Sequence, residues 1–298
     1  MAIRSVGDVL AAYEAGRWHT SRFLKNAAAG GSDGQWWDWA YAGGQPAFNA
    51  RIGAGLAFTP QVAEGNDAIF IPPIAAGQER RLAGYSARCL MSGNNCVSVN
   101  GVLYDLLGYY PLIDGDSTDV QIMDNTLTLP RYADGRGVQA VLVNHIVPTT
   151  AGGGTHTMVY VDDQGVERSV LFGMSNNGQN RVITRDVGGS NNGNPLVMSL
   201  AGGSRGIRSV TSVQLGTALG GYLCIYLVKP LVNGLLGYQS PLDVSASEFV
   251  TVEKCLCTAN AWNLPIIYDG AHLGWFYQQN GGTRTLSQLF GDLTFIWG

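Results

Sequence analysis

Three carboxylates in one short stretch, Asp114, Asp116 and Asp119 in D-G-D-S-T-D, come nearest in this 298-residue chain to a metal-binding pattern. Hard oxygen ligands at alternating loop positions can wrap Ca²⁺, which takes six to eight of them. The stretch has no glycine at the sixth place and no glutamate at the twelfth, so solvated turn residues are expected and no metal is assigned. G-x-S-x-G occurs twice, around Ser32 and around Ser204. A nucleophile elbow needs a strand before the serine and a helix after it. A small-residue linker precedes Ser32 and a strand is expected after Ser204, so neither reads as a nucleophile. Asp38, Glu248 and Glu253 could be paired on paper for glycoside hydrolysis, but that mechanism depends on a separation in space that sequence spacing does not supply. No catalytic residue and no cofactor is expected, and the chain is not read as an enzyme.

Histidine and cysteine point the same way. His19, His145, His156 and His272 are too far apart to form a local ligand set. His145 in an apolar strand and His272 beside Leu273 and Trp275 read as hydrogen-bonded structural residues. Five cysteines, Cys89, Cys96, Cys224, Cys255 and Cys257, leave an odd number, unlike a secreted disulfide framework. Their spacing lacks the paired C-x-x-C that zinc favours. Cys224 and Cys257 read as small buried hydrophobes, and a local Cys89–Cys96 bridge remains open.

One aromatic cluster could bind a ligand without doing chemistry. In GGSDGQWWDWAY a strand would put Trp37, Trp39 and Tyr41 on one face and Trp36, Asp38 and Ala40 on the other. Such a ledge could stack on the C–H faces of sugar rings. Alternatively the tryptophans fill a core or a subunit interface, where large aromatics dominate burial.

The elements that would hold these residues are mostly strands. A short helix opens the chain: Ser5 to Asp8 has capping character, Val6, Leu10 and Tyr13 fall at helical spacing, and Gly16 ends the pattern. Such a helix could dock on a neighbour or cover a sheet edge. After Asn26 the text turns ribbon-like. Asn100-Gly101 is a hairpin-turn signal, NTLTL before Pro130 reads as a strand closed by the proline, and Asp134-Gly135 supplies a sharp reversal before the run Val138 to Val143. HTMVYV and VERSVLF, joined by Asp162-Asp163-Gln164-Gly165, form a hairpin with Val166, Arg168, Val170 and Phe172 on one face. Residues 175–194 read as a loop, and Tyr222 to Val228 as a strand buried on both faces and ended by Lys229-Pro230. Many short strands with Gly, Asn and Asp turns predict a mainly all-β fold, an antiparallel β-sandwich or jelly roll with a short N-terminal helix and long Gly-rich loops. A division is placed at 135/136, with a β-rich region and the helix in 1–135 and a sandwich in 136–298.

Composition narrows the class of partner. Charged residues make up 13% of the chain, about half an ordinary share, and 41 glycines are nearly double theirs. Interface cores are depleted of charge in the same way, so a surface made to lie against other subunits is expected; a large β-protein with glycine-rich loops is the alternative. A net charge of −4 and the lack of any Lys/Arg cluster argue against nucleic acid as the main partner. MAIRSVGDVL does not read as a signal peptide, so none is expected, and the most apolar stretch is broken by Lys229-Pro230 and Asn233-Gly234, so no membrane span is expected.

Several phrases in the chain go together. LLGYYPLID with TLTLPRYADGRGVQAVLV, then SVGDVLAAYEAGRWHTSRFLKN, AGGSRGIRSVTSVQL, GYLCIYLVKPL and the close IIYDGAHLGWFY with GDLTFIWG, resemble structural proteins in the virions of tailed double-stranded DNA bacteriophages. The resemblance runs from about Ser5 to Trp297 and contains no catalytic signature. It implies a virion component assembled in the host cytoplasm. Expected roles are a capsid decoration or minor head protein, a neck, collar or tail-associated protein, or a glycan-binding module. The expected partners are the major capsid or neck proteins and further copies of the chain.

Overall fold

A computed structural model describes residues 3–26, 36–47, 51, 55–64, 67–92, 98–146, 154–174, 182, 184–185, 196–239, 252–255, 264–280 and 285–298. The described chain is all-β apart from one α-helix and a single 3₁₀ turn. In order the elements are α1 (Val6–Glu14), β1 (Trp18–Asn26), β2 (Trp36–Asp38), the 3₁₀ turn (Trp39–Tyr41), β3 (Gly43–Gln45), β4 (Thr59–Pro60), β5 (Arg80–Ser92), β6 (Ser98–Asp114), β7 (Gln121–Ile122) and β8 (Gln139–Ile146). There follow β9 (His156–Asp162), β10 (Glu167–Met174), β11 (Thr184–Arg185), β12 (Ile207–Gln214), β13 (Tyr222–Gln239), β14 (Val252–Cys255), β15 (Leu273–Asn280) and β16 (Thr285–Trp297).

Two long strands organise the molecule. β6 and β13 pair antiparallel from Tyr222↔Asp114 to Leu236↔Val99. The first half of β13 also pairs with β8, from Tyr222 to Val228. Its far end, Gly237 to Gln239, pairs parallel with β5. The large sheet therefore runs β2-β15-β6-β13-β5-β16-β1-β3, with β4, β8 and β14 as side branches, and a second sheet runs β11-β10-β9-β12-β7.

The β8 side of the ribbon packs face to face on the second sheet. Leu107, Leu142, Ile225 and Leu227 meet Met158, Tyr160, Phe172 and Val210 in one apolar core, which is the expected sandwich. The opposite face of the same strands, with Val141, Val143, Cys224 and Tyr226, is buried in a separate cluster. Tyr222 to Val228 is thus largely buried on both faces, as its unbroken apolar text requires, with only Tyr222 exposed. Towards β5, β16 and β1 the sheet curls into a half-barrel around Phe23, Trp39, Tyr85, Leu103 and Trp275.

Several local expectations hold. Ser5 caps α1 in a capping box with Asp8, and Gly16 follows the helix at φ +66°. β9 and β10 form the hairpin, with Asp162 accepting from the backbone N–H of Gln164 and Val166 to fix its turn. Gly135 takes φ +71° at the foreseen reversal.

Others are corrected. Asn100-Gly101 makes no turn, because β6 runs straight through it between β13 and β15, with Gly101 opposite both Gly234 and Tyr277. NTLTL is irregular, because the Asn125 side chain is engaged at once by the Tyr110 hydroxyl and the Val210 carbonyl. β13 does not stop at Lys229-Pro230. A register shift follows Pro230 and the strand continues, since β8 has already ended and the proline denies no ladder bond on that side. The large sheet takes strands from both sides of 135/136, and the division placed there stays an expectation from the sequence. Much of the 175–194 loop and all of Gly30–Gly34 lie outside the described residues, as do the side chains of Cys89, Cys96, Cys255, Cys257, His145, Glu248 and Glu253.

Candidate interaction face

The tryptophan ledge is an interior feature. Trp36, Trp37 and Trp39 are 8%, 4% and 2% exposed. β2 pairs with β15 on one rim of the half-barrel, and β3, after the 3₁₀ turn, pairs with β1 on the other. The connection crosses the gap between the rims and drops Trp39 inside, edge-on to Phe23 with ring centroids 5.3 Å apart. Trp37 shares that core, stacked on Tyr277, whereas Trp36 faces the other cluster. The expected sharing of a face by Trp37 and Trp39 holds, but no indole is left to stack on a sugar. The Tyr41 side chain is outside the described residues.

Asp38 is equally committed. Its carboxylate accepts from Arg51 Nη1, from the Tyr104 hydroxyl (2.8 Å) and from the Ala40 amide (3.1 Å). Both members of the Asp38–Arg51 pair have fully buried side chains. Burial opposes the charge on Arg51, yet Asp38, Tyr104 and Tyr226 together hold its proton, well above the ordinary arginine value. Burial pushes the Tyr104 hydroxyl up as well. This is a buried structural network.

A second buried pair joins β6 to the corner before β8. Arg131 donates to both oxygens of Asp105, at 2.8 and 2.7 Å, and the His272 amide adds a third bond at 2.8 Å. Desolvation still raises the Asp105 carboxyl above its ordinary value. His272 itself is buried, its Nε2 lying 3.5 Å from Asp67. Local sequence patterns gave no sign of Arg51 or Arg131, since their partners are 13 or more residues away.

The acidic turn behaves as a turn. Asp114 accepts from the Asp116 amide, and the Ser117 hydroxyl accepts from the Asp119 amide. Among the described residues no group of three or more His, Cys, Asp or Glu is placed to hold a metal ion. No described helix is long and apolar enough to cross a membrane.

The surface feature that stands out begins at α1. The helix has two apolar stripes, and the fold covers one of them. Val9 and Ala12 are buried with Ile3, Ala83, Leu264 and Ile296. Val6, Leu10 and Tyr13 are 42%, 58% and 37% exposed. An ordinary surface helix turns its polar side outward. Trp18, 46% exposed, lies against Tyr13 with centroids 5.7 Å apart and carries the apolar surface onto β1.

From there the outward side chains of β1 are Trp18, Thr20, Arg22 and Leu24. Thr20 bonds to Thr294 across the strand pair, and Arg22 pairs with Asp292 at 3.4 Å as a solvent-exposed ion pair of little energetic weight. The face ends in a groove of about 450 Å³ lined by Leu24, Phe290 and Gly291, by Gln45 and Gln288, and by the Arg22–Asp292 pair itself.

No protein-family model matches this sequence, and no curated protein matches it either. Solved structures give faint likenesses. "Structure of infectious bursal disease virus Gt strain" aligns over 94% of this chain and 80% of its own at 10% identity and a TM-score of 0.20. "Crystal structure of infectious bursal disease virus VP2 subviral particle" aligns over the same shares at 11% identity and 0.20. Likeness at that level establishes neither fold nor function for this chain.

Proposed function

We propose that this chain is a non-enzymatic structural subunit of a virus particle, in keeping with its resemblance to tailed-bacteriophage virion proteins, and that it adds to the particle as a decoration or minor head protein. The observation that carries the reading is the weakly charged face formed by Val6, Leu10, Tyr13, Trp18 and Leu24. A neighbouring subunit covers it and removes apolar surface from water. Complete burial of a leucine side chain is worth about 1.5–3 kcal/mol. Repeated copies on a symmetric shell turn modest affinity per site into high occupancy. A charged fraction of 13% fits a molecule whose sides are made to be covered.

The test is quantitative mass spectrometry of purified particles carrying the wild-type chain or Leu10→Glu with Trp18→Glu. The expected result is incorporation of the wild type at a fixed copy number. The double variant should be lost from particles while its circular dichroism is unchanged, because both side chains are exposed. A chain absent from particles, or a double variant incorporated normally, overturns the proposal. The copy number separates a role on the shell from one at the neck, collar or tail.

A further inference from the structure

The sheet forks along β13, and a cleft lies in the fork. β13 has β8 beside it as far as Val228 and β5 only from Gly237 onwards. Between those points the edge of β5 is occupied by other chain: Leu82 donates to the Pro265 carbonyl and Ile267 to the Arg80 carbonyl. β13 therefore diverges from β5 and leaves a cleft of about 350 Å³. That is the size of a small-molecule pocket.

The cleft walls combine rings with positive charge. Tyr132 and Tyr268 meet at 89° with centroids 4.9 Å apart, and Pro230, Leu231 and Ile266 complete an apolar wall. Lys229 brings its ammonium to within 5.1 Å of the Tyr132 ring centroid. An ammonium has three N–H donors. Among the described residues that of Lys229 gives one hydrogen bond, to the Arg136 carbonyl at 2.8 Å. Arg81 also lines the cleft, but its guanidinium is engaged by Glu79 and the Leu264 carbonyl.

Two backbone features keep this arrangement open. A Cβ at Gly137 would lie 2.2 Å from Lys229 Nζ, and Gly137 itself has φ +73°. Tyr132 takes φ +53°, an uncommon conformation for a bulky residue. Partial burial lowers the Lys229 pKa from its ordinary value, the Asp134 carboxylate opposes that shift and Arg136 adds to it.

The geometry points to a binding site for a small carboxylate that carries a ring or a compact apolar body. The carboxylate accepts from Lys229 Nζ while the ring packs on Tyr268 and Pro230. This site is independent of the particle interface proposed above and lies on other elements.

Calorimetric titration with N-acetyl-L-phenylalanine and with its uncharged amide tests it on the wild-type chain. The acid should bind at least about tenfold more tightly than the amide. Lys229→Met should abolish that preference, and Tyr268→Ala should weaken both ligands. Absence of binding at about 10 mM acid, equal binding of acid and amide, or an unchanged preference in a folded Lys229→Met chain overturns the assignment. The acid-to-amide ratio is read on the unaltered protein, so the outcome does not depend on a variant folding.

Discussion

Asp105 shows how heavily single polar residues are used inside this chain. It is 1% exposed, and its charge is tolerated because Arg131 grips both oxygens while the His272 amide supplies a third bond. Arg131→Met removes the grip and leaves a buried carboxylate with one weak compensation. Denaturant unfolding should show a loss of about 3–5 kcal/mol. His156 provides a test against pH. Its Nδ1 accepts from the Gly216 amide at 3.2 Å, and burial holds its pKa below the free imidazole value. Well above about pH 6.5 the ring is neutral in both folded and unfolded chains and contributes no pH dependence. As pH falls below that, the unfolded chain binds a proton that the folded one resists, so stability declines on acidification. His156→Gln should flatten the change in unfolding midpoint between pH 7 and pH 5; an unaltered slope would assign the acid sensitivity elsewhere.

At the scale of elements, close backbone approach decides more than turn propensity does. A Cβ at Gly291 would lie 1.9 Å from the Ser86 carbonyl oxygen and 2.9 Å from the Phe23 ring. Gly291→Val should therefore push β16 away from β5 and cost roughly 1–3 kcal/mol, measured as a lower denaturation midpoint. The same use of glycine explains what the sequence concealed. At Asp162 to Gly165 the carboxylate that fixes the turn is in the turn itself, so the β9–β10 hairpin was legible. At Asn100-Gly101 an equally good turn dipeptide lies within a strand, opposite Gly234, whose own Cβ would meet the Tyr85 hydroxyl at 2.4 Å. Only a partner on a distant strand distinguishes the two cases. Helix α1 was legible in its limits, but its apolar periodicity did not say which stripe would be covered; Val9 and Ala12 were, and Val6, Leu10 and Tyr13 were not. The ledge was half legible: alternation put Trp37 and Trp39 together, while the 3₁₀ turn that tucks Trp39 inside depends on two rims remote in sequence.

Across the whole molecule, the shared ribbon of β6 and β13 joins a sandwich to a curled half-barrel, and each structure presents a different surface. The α1–β1–β16 face of the half-barrel is weakly charged, so association through it should depend little on ionic strength, in contrast to a contact steered by charge. The fork between the two structures holds the ammonium and the tyrosines. The piece from Trp36 to Gln45 has a distinct importance, because its two ends stitch opposite rims of one curved wall. It works as a buckle. A single protease cut between its ends would leave each end on its own rim and sever the bridge over Phe23, Trp39 and Trp275, so the survival of that one peptide is a measure of whether the gap is spanned.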